Sequence, residues 1–85
     1  MAEEITVKIK LFAIFQEVIG QEEISLGLVL SSTVADALEA ILQQYPSLEK
    51  WRSHLRYGVN LEFVSSDHLL QAGDELAFIP PVSGG

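Results

Sequence analysis

Thr33-Val34-Ala35-Asp36-Ala37-Leu38-Glu39-Ala40-Ile41-Leu42-Gln43-Gln44-Tyr45-Pro46 is the stretch whose reading decides the fold. Thr33 suits a helix N-cap, because its hydroxyl accepts a backbone N–H that the first turn leaves without a partner. Asp36, three residues on, stands where a capping box places its acid. Val34, Leu38, Ile41, Leu42 and Tyr45 then recur at i, i+4, i+7, i+8 and i+11, forming one apolar stripe. Pro46 ends the pattern, since the residue before a proline is pushed out of the helical region. The stretch therefore predicts one principal helix with one face to bury.

The flanking sequence supplies the surface that such a helix needs. Upstream, Ile5 to Phe12 alternates strictly, with Ile5, Val7, Ile9 and Leu11 on one side, the pattern of a half-buried strand. Ala13 to Ile19 carries Phe15, Val18 and Ile19 at helical spacing and stops at Gly20, predicting a short helical turn. Glu23 to Leu30 alternates again through Ile24, Leu26, Leu28 and Leu30, so a second strand is expected to pair with the first. Downstream, Ser47 to His54 reads as an irregular or briefly helical connection, with Trp51 plugging the edge of the core. Tyr57 to Asn60 and Glu62 to Val64 read as short strands around a turn near Asn60-Leu61. Ala72-Gly73-Asp74 is a further turn, and Glu75 to Ile79 is the last strand. A crossover helix lets that last strand lie parallel beside the first. The expected fold is α+β, a mixed sheet packed on one main helix, which is the β-grasp arrangement.

Eighty-five residues make a single small domain. The expected boundaries are residues 1–79 for the domain and 80–85 for a C-terminal tail. Twelve acidic against five basic residues give a net charge of −7, which phosphate backbones repel, so no nucleic-acid partner is expected. The acidity suits a basic partner protein, or serves only to keep a small domain in solution. The chain has no cysteine, so disulfides, thiolate metal sites and a cysteine nucleophile are excluded. It has no apolar run of about 18 residues to span a membrane. Met1-Ala2-Glu3-Glu4 lacks the layout of a secretory signal. A cytoplasmic protein is expected.

Internal candidates for chemistry are weak. Ser65-Ser66-Asp67-His68 contains triad residue types, but neighbours in an extended chain point to opposite faces, so it reads as a polar loop. His54 and His68 have no metal-ligand spacing, and the scattered Gly20, Gly27, Gly58 and Gly73 form no phosphate-binding loop. Glu22-Glu23 reads as a solvated charge pair. On the far side of the sheet, Phe12 and Ile79 have the opposite parity to the inward residues, and Phe63 joins them if its register matches. Together they would form an exposed apolar patch of the kind that marks protein contacts, unless strand twist turns one of them into the core.

The end of the chain is more distinctive. Pro80-Pro81-Val82-Ser83-Gly84-Gly85 follows directly on the last strand. The prolines favour an extended path that holds the tail off the body. From Ile79 the remaining residues reach at most about 20 Å, enough to enter a partner's active site while the domain stays docked outside. Gly84 and Gly85 have no side chain to block a narrow channel, and the carboxylate of Gly85 is the one reactive group they carry.

These residues resemble a family, the small, sulfur-carrier subunit of molybdopterin synthase. The similarity is strongest in Asn60 to Val64, Leu70 to Ala77 and Phe78 to Gly85, and weaker in Lys10 to Ala13 and Thr33 to Leu38. The resemblance implies that a separate ATP-using activating enzyme adenylates Gly85, and that a sulfur donor protein converts it to a thiocarboxylate. The chemistry is consistent, because an ionised α-carboxylate is a poor electrophile until activated. It further implies that the large synthase subunit receives the tail (Pro80, Pro81, Val82, Ser83, Gly84, Gly85) and passes the sulfur to a cyclic pyranopterin precursor. Phe12, Phe63 and Ile79 match positions that the family uses as an apolar contact surface. Catalytic side chains are expected on the large subunit, no cofactor on this chain, and a heterotetramer of two small and two large subunits as the assembly. Other β-grasp carriers, serving thiamine or tRNA thiolation, share the Gly-Gly end. A ubiquitin-like modifier that forms isopeptide bonds, or a plain interaction domain with an incidental tail, also fits it.

Overall fold

The structure, a computed structural model, describes residues 3–81. Alternation drives the strands. β1 (Glu4–Leu11) buries Ile5, Val7, Ile9 and Leu11, while Thr6, Lys8 and Lys10 face the other way. A short helix, α1 (Ile14–Ile19), follows and buries Phe15. It ends at Gly20, whose φ of 82° is the left-handed cap that glycine adopts without a Cβ penalty, its N–H donating to the Gln16 carbonyl at 2.8 Å. β2 (Glu23–Val29) returns antiparallel to β1, setting Ile24 opposite Ile9, Leu26 opposite Val7 and Leu28 opposite Ile5. The strand stops at Val29, so Leu30, expected as its last inward residue, lies in the turn and is exposed.

α2 (Val34–Gln44) carries the complete capping box. The Thr33 hydroxyl accepts from Asp36 N–H at 3.2 Å, and the Asp36 carboxylate accepts from Thr33 N–H at 2.9 Å. The 65–69 loop adds to this start, with the His68 and Ser66 carbonyls accepting from Val34 and Ala35 N–H. Val34, Ala37, Leu38, Ile41 and Leu42 form the buried stripe. Tyr45 closes the helix with an extended φ of −131°, as the following proline requires. The connection Pro46–His54 is a 3₁₀ segment, tighter than an irregular linker. It buries Leu48 and lays Trp51 against the core edge.

β3 (Arg56–Val59), β4 (Glu62–Val64) and β5 (Glu75–Ile79) complete a sheet of order β2-β1-β5-β3-β4. β5 runs parallel to β1, Leu76 beside Ile9 and Phe78 beside Leu11, and antiparallel to β3. The crossover through α2 makes that parallel pairing possible. Phe78 sits at the centre of the core, its ring 5.9 Å from Phe15 and edge-on to Tyr57 at 6.1 Å. This is the β-grasp fold, α+β with one main helix over a mixed sheet. Among the described residues no helix is long and apolar enough to cross a membrane.

Candidate functional site

One face of the sheet packs on α2, and the other faces outward. Pairing partners share a face, so the registers build a single outward row across all the strands: Glu23, Lys10, Ala77, Gly58 and Phe63. Large side chains stand at its two ends and small ones in the middle, which hollows the face. The result is a groove of about 910 Å³ lined by Phe12, Gly58, Leu61, Phe63, Ala77 and Ile79, with Glu22, Glu23, Glu62 and Glu75 among its polar residues.

The apolar residues expected to line this face do so. Phe12 is 46% exposed and Phe63 72% exposed, while Ile79 is half-buried. Phe12 follows β1, so its outward direction comes from the chain's turn toward α1 as well as from strand parity. Leu11 pairs with Phe78, and one step further the same parallel register brings Phe12 and Ile79 to one end of the sheet. That is the end at which β5 hands over to the tail. The apolar groove and the exit of the last strand therefore coincide.

Pro80 lies at the expected boundary between domain and tail. It is buried, whereas Pro81 is exposed, so packing continues one residue beyond Ile79. Val82, Ser83, Gly84 and Gly85, expected as the tail and its reactive end, lie outside the described residues.

The charges on this face are organised by Glu23. Its carboxylate accepts from Lys10 Nζ at 2.8 Å and stands 3.7 Å from Lys8 Nζ. The hydrogen bond to Lys10 holds the Glu23 carboxyl below the usual range, and the same bond raises the Lys10 ammonium. The pair read from sequence as simply solvated is thus half engaged, and one acid is shared by both lysines of β1. Among the described residues Glu22, Glu62 and Glu75 have no ion-pair partner, so the groove presents net negative charge.

Leu61 is the residue that sequence reading missed. It occupies the β3–β4 turn with φ of 73°, after Asn60 at 51°, and its side chain is fully exposed. Turns with two positive φ values favour Asn-Gly, and a leucine there pays about 1 kcal/mol or more for its Cβ. The Asn60-Leu61 turn itself was legible, but nothing in the pattern signalled that the leucine would stand clear of the core.

The remaining polar candidates stay apart from this face. Ser65 donates to Asp67 within the loop, and His68 and His54 are exposed. Among the described residues no three His, Asp or Glu side chains are placed to hold a metal ion.

The chain is thus a small β-grasp domain with a hollow apolar face beside the exit of its last strand. The chain belongs to the ThiS family, whose pattern matches residues 9–85. It is similar to the molybdopterin synthase sulfur carrier subunit of Arabidopsis thaliana, 36% identical over 95% of this chain and 84% of that one. Similarity to small archaeal modifier protein 1 of Haloferax volcanii reaches 37% identity over 89% of this chain and 97% of that one. The crystal structure of the latter protein superimposes with a TM-score of 0.81 at 36% identity, covering 94% of this chain and 99% of that one.

Proposed function

We propose that this chain is a sulfur carrier for molybdopterin synthesis, its C-terminal Gly85 bearing sulfur as a thiocarboxylate. The observation that carries this reading is the placement of Phe12, Phe63 and Ile79 on one groove at the end where β5 leads into Pro80-Pro81. A domain held by that groove presents its following residues to whatever it docks on. The relatives named as sulfur carrier subunits of molybdopterin synthase support the pathway, and the name supports a partner subunit.

In this reading an ATP-using enzyme first joins the Gly85 carboxylate to adenylate with release of pyrophosphate. A sulfide-level sulfur supplied by a donor protein then attacks the acyl carbon and displaces AMP, leaving a thiocarboxylate. Docked on the large synthase subunit, the chain end transfers its sulfur to a cyclic pyranopterin precursor. Gly84 and Gly85 admit the end to a narrow channel, with Val82 and Ser83 as the connecting lead. This chain contributes a co-substrate and a docking surface, binds no cofactor, and leaves catalytic side chains to its partner. The working assembly is two small and two large subunits, in the cytoplasm.

Reconstitution tests the pathway. Thiocarboxylated protein, the large subunit and the precursor should together yield molybdopterin, and a chain extended by one residue after Gly85 should yield none. Product from the extended chain would overturn the carrier reading.

A second reading has its own support in the similarity to a small archaeal modifier protein: the activated Gly85 forms isopeptide bonds with lysines of other proteins. Both uses share the adenylated intermediate. Higher-mass conjugates in cells holding the activating enzyme, absent when Gly84 and Gly85 are deleted, would favour it.

A further inference from the structure

We propose that Leu61 is a rigid second anchor of the docking face, inserted into an apolar pocket of the large subunit whose rim is basic. This deepens the proposed function and rests on it. Leu61 is 102% exposed, touching nothing that would reward its burial in the free domain. It also holds a φ of 73°, a region that L side chains rarely adopt. A leucine kept in an unfavourable conformation, with no internal contact to offset it, has no role in stabilising the free chain.

The turn is fixed from behind. Asn60 N–H donates to the Glu75 carbonyl at 2.9 Å, Glu75 N–H donates to the Asn60 side-chain oxygen at 3.0 Å, and the Asn60 amide donates to Asp74 at 3.0 Å. Leu61 is therefore presented on a braced turn, and little conformational freedom remains to be lost on binding.

The groove beside it has an unusual floor. Gly58 is buried in the row between Ala77 and Phe63, yet a Cβ there would meet only Glu62 O at 3.7 Å and Ala77 Cβ at 4.0 Å. The fold does not demand a glycine at this position. Its absent side chain instead deepens the hollow between Leu61 and Phe12, so the face is knob and hole together: Leu61 projects, and the Gly58-Ala77 floor receives. Charge identifies the partner's chemistry. Glu22 and Glu75 line the same groove without ion-pair partners among the described residues, while Lys10 is taken up by Glu23. An apolar pocket ringed by lysine or arginine is complementary to that rim.

The test uses the full chain and the purified large subunit as the probe, with affinity measured by calorimetry at two salt concentrations. Leu61→Gly relieves the backbone while deleting the anchor. We expect thermal stability equal to or above that of the parent, and affinity lowered about tenfold or more, as truncating a central apolar anchor does. Glu22→Gln with Glu75→Gln should flatten the salt dependence of binding. Unchanged affinity in Leu61→Gly, with the parent binding normally, overturns the anchor while leaving the proposed function standing. A parent that does not bind the large subunit overturns both. Altered self-association of Leu61→Gly in sedimentation, without change in binding, would assign the turn to a contact between copies and overturn the proposal.

Discussion

Asn60 and Asp74 join two turns that stand 14 residues apart in the chain: the Asn60 amide donates to the Asp74 carboxylate at 3.0 Å. The other Asp74 oxygen accepts from Gln71 N–H at 2.8 Å, so one carboxylate orders both the start of β5 and the β3–β4 turn. Asn60→Ala removes two side-chain hydrogen bonds and the residue type that best tolerates a φ of 51°. It should cost about 1–2 kcal/mol in urea denaturation. Asn60→Asp should cost more at neutral pH, because two carboxylates would then face each other.

The capping box gives a second test. Thr33→Ala deletes the acceptor for Asp36 N–H and one partner of the Asp36 carboxylate, and should lose about 1 kcal/mol. Asp36→Asn keeps an acceptor for Thr33 N–H and should lose less. An unchanged stability in Thr33→Ala would show that the reciprocal pair does not cap the helix.

Acid stability should depend on Glu23. Its carboxyl is lowered from 4.5 by the hydrogen bond to Lys10 and then by the charges of Lys10 and Lys8. A depressed carboxyl contributes stability above its unfolded value and loses it as pH falls through the folded one. The raised Lys10 reflects the same bond, so its contribution is lost on the alkaline side as the ammonium deprotonates and in acid together with the ionised Glu23. Urea midpoints of the parent and Glu23→Gln should therefore differ at pH 7 and converge below pH 4.5. Because the pair is exposed, the gap should also narrow with salt.

The core tolerates less. Phe78 is fully buried between Phe15 and Tyr57. Phe78→Ala should cost about 3–5 kcal/mol by cavity formation. That is a large share of the roughly 5–15 kcal/mol typical of a domain. Phe78→Leu should retain a cooperative, lower thermal transition.

On the proposed docking face, Phe12→Arg should weaken binding to the large subunit about tenfold or more without loss of fold, since Phe12 stands outside the strands and is partly exposed. Ile79→Arg is the less clean variant. Ile79 is half-buried and pairs with Arg56, so an arginine there would set like charges side by side.

Much of this was legible in the sequence because local periodicity and tertiary packing agree. The alternation of Ile5 to Leu11, the Thr33–Asp36 cap and the stop at Pro46 each have a local cause, and each element formed where that cause placed it. What was not legible depended on neighbours. Strand parity sets the direction of Phe63, but only the register against Gly58 and Ala77 shows that a hollow lies beside it. Glu23 reads as one of two adjacent acids until β1 brings two lysines to it. Pro80 reads as the first residue of a tail because φ restriction is local, whereas its burial is a tertiary fact. Leu61 carries no periodic signal, since turn residues fall outside both helical and strand patterns.

Intact-mass spectrometry reads the proposed chemistry of Gly85 most directly. Protein produced with its activating enzyme and a supplied sulfur donor should show one oxygen replaced by sulfur, localised to the C-terminal peptide. Carboxylate alone under those conditions, with the activating enzyme shown to be active, would contradict the account.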